Sequence, residues 1–340
     1  MTRKPFTLLR APIAATLLAT TGLAGAQTVL SVSTWLPPAH GATVAQNQWC
    51  EAVEKETKGS VKCNLLPKAV SAPPGTFDAV RDGLADVSFT VDGYTPGRFI
   101  FTQVAEFPFL GDSSTATSVA YQRIYDKYFA PLGEHRGIKT LAVFTHGPGI
   151  IFTVKQPVTS AADAGKLKFR IGGGNINELS KLMGWNTTLK PATESFELLS
   201  TGVMDGTFFP DESLQSMRLS MVKYATTFPG GLYNTSFVFM MNKAKYDALS
   251  ATDKAAVDKV SGEAAARLFA AGWDRTDAAS RDIQKTTGVQ RQMASDAFVS
   301  EVKAKQAALE DKWVAAAEAR GLKNARGVLA EFRAETQKLK

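Results

Sequence analysis

The alternation of short strand-like runs with helical segments constrains this chain more than any other feature. Apolar or alternating stretches at 29–34, 61–66, 86–91, 138–144, 150–154, 167–171 and 236–241 read as strands, and helical spacing fills most of the gaps between them. Strands separated by helices pair side by side after a crossover, so the expected fold is α/β with largely parallel sheets. From Ser250 the texture changes. Ser250-Ala-Thr-Asp253 resembles a capping box with Asp in place of Glu, an Ala-rich helical pattern runs to about Lys285, and a further helix covers about 296–320. A chain of 340 residues can hold more than one core. It contains no internal repeat or low-complexity tether, so two domains are expected to be joined by crossing strands.

The N-terminus sets the compartment. Arg3, Lys4 and Arg10 precede a mostly apolar run, Ala11 to Leu23, which ends in the small-residue signature Ala24-Gly25-Ala26. This reads as a secretory signal peptide, residues 1–26, cleaved after Ala26 to give an exported, periplasmic chain. The run is shorter than the roughly 20 residues of a membrane span. Removing it takes away three basic residues and no acidic one, leaving 36 Lys and Arg against 32 Asp and Glu, a charge of about +4. Without basic tracts, that excess gives no support to nucleic-acid binding. Cys50 falls in the helical pattern that begins near Gly41, and Cys63 in the strand-like run after Lys58-Gly59. A helix that turns at glycine and returns as a strand can join them as a disulfide in an oxidising compartment; two buried thiols are the alternative, and no second ligand pair suggests a metal.

Residues 166–175, KLKFRIGGGN, place an arginine at a strand end with three glycines behind it and the helical pattern 175–183 beyond. Such a turn aims N–H groups and the positive end of a helix dipole at its occupant, so an anion is expected there. Enzyme motifs are mostly missing. The glycine run lacks the last glycine of a dinucleotide fingerprint, and an exported protein has no ready supply of that cofactor, so none is expected. No G-x-S-x-G, H-E-x-x-H or phosphate-binding Lys loop occurs, and the histidines are His40, His135 and His146 alone. Asp211-Glu212 could act as acid and base, but reads more simply as negative charge at a helix start.

Four segments in order carry a family resemblance. Pro157-Val-Thr-Ser-Ala-Ala-Asp-Ala-Gly-Lys-Leu-Lys-Phe-Arg-Ile171 resembles the "PV-x-S-x-x-D-x-x-G-x-K-x-R" segment of DctP-type solute-binding proteins of tripartite ATP-independent periplasmic (TRAP) transporters. Leu198-Leu-Ser-Thr-Gly-Val-Met-Asp-Gly206 is similar to their "L-x-x-G-x-x-D-G" segment, Phe107-Pro-Phe-Leu110 to their "PF-hydrophobic" strand end, and Asp78 to Val87 to an earlier "V-x-x-G-x-x-D" run. The resemblance implies a two-domain, type II-like periplasmic binding protein with mixed sheets, crossing strands and a long helix. Its ligand, an organic acid, would sit in the interdomain cleft and pass to a membrane permease driven by an ion gradient. Expected domains are 27–149 with 235–270, and 150–234 with 271–340.

In that family the strand-end arginine, here Arg170, pairs with the ligand carboxylate, which suits a planar bidentate fork. Where relatives continue with a polar run, this chain has Thr207-Phe208-Phe209-Pro210, which would favour an apolar or aromatic ligand tail if Phe208 and Phe209 form wall rather than core. Strand ends facing a cleft add Trp35, His40, Tyr94, Glu106, His146 and Phe152, the turn adds Gly172 and Asn175, and Asp211 after Pro210 completes the candidate set. The alternative is a periplasmic hydrolase using His146 and Glu106 on a carboxylate-bearing substrate.

Overall fold

The computed structural model describes residues 1–2 and 27–339. The expected signal peptide and its cleavage point therefore lie almost wholly outside the described residues. Two sheets organise the rest. The first has the order β2-β1-β3-β10-β4, from β1 (Thr28–Val32), β2 (Val61–Leu65), β3 (Val87–Val91), β4 (Ile138–Thr145) and β10 (Ser236–Asn242). The second has the order β11-β9-β5-β8-β6-β7, from β5 (Ile150–Thr153), β6 (Lys168–Ile171), β7 (Asn186–Leu189), β8 (Gly206–Phe209), β9 (Tyr224–Thr227) and β11 (Gln290–Met293).

The sheets are mixed rather than largely parallel. The β1–β2, β1–β3, β6–β7, β6–β8 and β9–β11 pairs are parallel, as helix crossovers dictate. The exceptions flank the crossings. The chain leaves the first sheet at β4 and enters the second at β5, then returns from β9 to β10. As a result β10 runs antiparallel to β3 and β4, and β5 antiparallel to β8 and β9. The two crossing segments touch at Gly149 and Tyr233, whose backbones exchange an N–H···O contact of 2.8 Å. A side chain at Gly149 would meet the Tyr233 ring at 2.2 Å, so only glycine fits.

The sequence reads one helix from Ser250 to about Lys285, but the structure has two, Ala251–Lys259 and Glu263–Thr287. Gly262, at φ 59°, breaks the pattern between them. The second helix packs on Gly41–Glu56, Ser114–Ile124 and β4, and then feeds β11 in the other sheet. It is thus a third link between the lobes, about 37 Å long at the usual helical rise. Cys50 and Cys63 are joined, with Cα atoms 5.8 Å apart, tying helix Gly41–Glu56 to β2.

Candidate functional site

Where the sheets face each other lies a partly open cavity with about 420 Å³ of space not filled by atoms, its mouth included. Seven of the expected residues line it: Trp35, His40, Tyr94, His146, Arg170, Gly172 and Phe209. Trp35 is held by donating its indole N–H to the Phe89 carbonyl at 2.9 Å, and its ring meets Tyr94 edge-on at 5.9 Å. The Tyr94 hydroxyl accepts the Ala192 N–H of the opposite lobe at 3.0 Å.

Arg170 is 2 % exposed. Its Nε–H donates to the Lys190 carbonyl at 2.8 Å, Nη1 reaches only a long 3.5 Å contact with the Phe208 carbonyl, and the guanidinium lies over the Phe209 ring at 4.4 Å. Among the described residues no carboxylate pairs with it. Burial pulls its pKa below the ordinary arginine value, while Tyr94 and Tyr233 beside it act in the opposite direction. A buried charge without a partner is costly, which makes Arg170 a candidate anchor for an anion.

The two phenylalanines divide. Strand alternation sends Phe209 to the cavity and Phe208 to the far face, where it is fully buried against Phe169 and Trp185. Phe152 is likewise core, packed beside Ile150 and Ala225.

Three polar expectations also fall elsewhere. Glu106 does not line the cavity. Its carboxyl accepts the Asn175 N–H at 2.8 Å and both the N–H and hydroxyl of Ser236, at 3.2 and 2.5 Å. The N-terminus of helix Asn175–Met183, where an anion is expected, is therefore met by this carboxyl group from the opposite lobe. Burial raises its pKa to about 7 against those hydrogen bonds. Asn175 turns away as well, its Nδ2 donating to the Gln103 carbonyl at 2.8 Å. Asp211 is buried under Arg291, Arg281 and Gln284, with contacts of 2.5, 3.3 and 2.9 Å. The His146 and Glu106 pair needed for a hydrolase is accordingly not assembled on the cavity.

The glycine run serves the contact between lobes. Gly173 and Gly174 have φ of 86° and 71°, and Gly93 of the first lobe lies so close that a side chain there would sit 2.7 Å from the Gly174 nitrogen. A side chain at Gly173 would meet the Gly93 carbonyl at 2.2 Å. Backbone thus packs on backbone across the cleft.

Sequence reasoning missed Leu36, Val91, Ala192, Pro210, Glu212, Ser213, Met217, Tyr233, Thr235, Phe237 and Trp273, all of which line the cavity. Tyr233 and Thr235 lie on the return crossing beside the expected strand Ser236–Met241, and following that strand backwards would have found them. Trp273 had no signal, since it lies inside an Ala-rich helix. Glu212 is 3 % exposed, and its Oε1 accepts from the Ser213 hydroxyl at 2.7 Å with His40 Nε2 at 3.4 Å. Burial raises its pKa, but His40 and Ser213 outweigh that and the net shift is downward, so it is ionised. His40 Nδ1 accepts the Ala42 N–H at 3.0 Å as the cap of helix Gly41–Glu56, which leaves the imidazole proton on Nε2, facing Glu212. His146 donates from Nδ1 to the Gly147 carbonyl, and burial holds its pKa down at about 4, so it is neutral.

Among the described residues no cluster of three or more His, Cys, Asp or Glu is placed to hold a metal, and no helix is long and apolar enough to cross a membrane.

Comparison with known proteins fits this geometry. The family model for bacterial extracellular solute-binding protein, family 7 (DctP) matches residues 32–316. A TRAP periplasmic solute-binding protein from Bordetella bronchiseptica, solved with bound (R)- and (S)-mandelate, is 42 % identical with a TM-score of 0.89, over 92 % of this chain and 100 % of that one. A marine metagenome TRAP solute-binding protein specific for aromatic acid ligands, solved with 3-hydroxybenzoate, is 33 % identical with a TM-score of 0.85, over 92 % and 99 %. Outer membrane transporter protein TsaT of Comamonas testosteroni is 29 % identical over 84 % of this chain and 85 % of its own. With two lobes, two crossing strands and an interlobe cavity in place, the chain belongs to the DctP family of bacterial extracellular solute-binding proteins, the receptors of TRAP transporters.

Proposed function

We propose that this receptor binds a monocarboxylic acid with an aromatic or compact apolar body, and delivers it unchanged to the membrane permease subunits of a TRAP transporter. The observation that carries this reading is Arg170, a buried guanidinium with no carboxylate partner among the described residues, at the wall of a cavity otherwise lined mostly by aromatic and aliphatic side chains. The ligand carboxylate takes the two-pronged face of the guanidinium, within reach of the Tyr94 and Tyr233 hydroxyls. Phe209 stacks on the guanidinium, and Trp35, Phe237 and Trp273 wall the body of the ligand. The aromatic acids bound by the relatives from Bordetella bronchiseptica and the marine metagenome support the same class here.

In this reading the lobes are 27–149 with 235–270 and 150–234 with 271–340, hinged at the crossings, and the chain is exported with residues 1–26 removed. In this reading it performs no catalysis: the His146 and Glu106 pair is not assembled on the cavity, and the Glu212 carboxylate there is held by His40 and Ser213. Titration calorimetry with benzoate, phenylacetate, succinate and glucuronate tests the proposal. The aromatic acids should saturate the protein and be recovered chemically unchanged. Tightest binding by succinate or glucuronate, or turnover of any acid, would overturn it.

A further inference from the structure

The cavity has a second polar pole that the carboxylate anchor does not use. Trp273 is 3 % exposed, and its indole N–H is buried without a hydrogen-bond partner among the described residues. The sequence contains five tryptophans. The other four all donate: Trp35 to the Phe89 carbonyl, Trp49 to the Ser261 hydroxyl, Trp185 to the Ala161 carbonyl and Trp313 to the Ile100 carbonyl. A buried donor left unmade is costly, and the one tryptophan in that condition lines the ligand cavity.

An acceptor stands beside it. The His146 ring is 5.9 Å from that of Trp273, and both line the cavity. Because His146 Nδ1 donates to the Gly147 carbonyl, the neutral ring carries its free lone pair on Nε2, which makes no hydrogen bond among the described residues. Three of the other polar side chains at this end are engaged with one another or with backbone: His40 with Ala42 and Glu212, and Ser213 with Glu212. Their placement is fixed by the long helix. Trp273 and Asp277 are one turn apart on the same face, and the Asp277 carboxyl accepts the Glu212 N–H at 2.8 Å, which sets the Glu212 backbone against that face.

A donor with no acceptor and an acceptor with no donor, side by side in one cavity, match a single chemical group that is both. We infer that Trp273 and His146 read a hydroxyl on the ligand, the indole N–H donating to its oxygen and its O–H donating to His146 Nε2. The preferred ligands are hydroxylated aromatic monocarboxylates. A second carboxylate is disfavoured because it brings no proton to His146 and comes close to the ionised Glu212. This inference rests on the monocarboxylate reading above and specifies its ligand.

The test uses matched acids: benzoate against 3- and 4-hydroxybenzoate, phenylacetate against mandelate, and terephthalate as the dicarboxylate. With the wild-type chain, at least one hydroxylated acid should bind about tenfold or more tighter than its parent, the range of one or two hydrogen bonds that satisfy buried groups. Terephthalate should bind weaker than either hydroxybenzoate. In Trp273→Phe, which keeps the aromatic wall and deletes the N–H, that hydroxyl gain should shrink to within about threefold. If the variant does not fold, the Trp273 indole N–H resonance of ¹⁵N-labelled wild type serves instead; it should move downfield with the hydroxylated acid and not with its parent. Parent acids that bind with no gain from any hydroxyl, a gain that survives Trp273→Phe, or an unmoved indole resonance would each overturn this inference while leaving the carboxylate anchor standing. If none of the acids binds, both readings fall.

Discussion

Two buried charges in the second lobe have opposite surroundings. Asp211 is 4 % exposed and answered by Arg281, Arg291 and Gln284; Arg170 is 2 % exposed and answered by two carbonyls and an aromatic face. Both sit at strand ends of the same sheet, Asp211 two residues beyond β8 and Arg170 one residue before the end of β6. Asp211 is complete within the chain, fastening β8 to the long helix and β11. Under the proposed function, the counter-charge of Arg170 is the ligand carboxylate. A charge whose counter-charges are built in holds the fold, whereas one whose counter-charge is left out marks where a ligand goes.

The widest test of that contrast is a crossed pair of substitutions. Arg170→Met should cost about 2–5 kcal/mol of binding, roughly 30-fold to several thousandfold in Kd, because the ligand carboxylate is left buried without its fork. The same change should leave unfolding stability of the free protein within about 1 kcal/mol, since an unpaired buried charge is removed. Asp211→Ala should do the reverse, lowering stability by about 2 kcal/mol, discounted because Arg281 and Arg291 stay partly solvated, while shifting Kd less than tenfold. Calorimetry and urea unfolding on both variants decide it; similar losses in both measurements would erase the distinction.

Glu106 sharpens the comparison, because it is a buried carboxyl with hydrogen bonds but no cation. Its pKa is raised to about 7 from 4.5. The folded state therefore holds a proton that the unfolded state has already lost between those values, and its contribution to stability falls as pH rises through that window. Relative to Glu106→Gln, the wild type should lose about 3 kcal/mol of unfolding free energy between pH 4.5 and 7, an upper figure from the size of the shift. Denaturant titrations of both proteins at half-unit pH steps measure it. A constant difference would mean that the Asn175 and Ser236 donors keep Glu106 ionised.

The smallest expected effect concerns the closure that hides Arg170. Gly93 has an ordinary backbone conformation, so alanine there strains nothing in the first lobe, yet its methyl group would sit 2.7 Å from the Gly174 nitrogen across the cleft. Gly93→Ala should weaken ligand binding about tenfold, the equivalent of roughly 1.4 kcal/mol, with unfolding of the free protein little changed. Unaltered affinity would mean that the lobes need not pack this closely to hold ligand.

Much of this molecule was legible in the sequence, wherever local pattern and chemistry coincide. Strong strands with apolar runs, such as β3, β4 and β10, lie within a residue or two of their expected positions, and the helix after the glycines spans the expected 175–183. β7, β8, β9 and β11 were missed. They are four residues each, and their polar or mixed sequences, such as Asn186-Thr-Thr-Leu189 and Gln290-Arg-Gln-Met293, become strands only because a neighbour supplies the ladder. Arg170 was found because a strand-end arginine before glycines is a local signature, and the pairing of Cys50 with Cys63 follows from a helix–turn–strand unit closed in 13 residues.

Which residues meet across the cleft was decided by tertiary structure alone. Strand alternation states that Phe208 and Phe209 face opposite ways, but not which face is the cavity. That depends on β8 being clamped between β5 and β6 and covered on one side by Trp185. Glu106 had every local mark of a cleft residue and was taken up by an N–H group and a serine that are distant in sequence. Trp273, with no local mark, was carried to the cavity wall by a helix that links the lobes. Local periodicity fixes what a residue's own element does with it, because backbone sterics and side-chain spacing act within a few residues. Whether a buried donor or charge is answered depends on elements brought together from a hundred residues away, and that balance of satisfied and unsatisfied groups separates binding site from scaffold here.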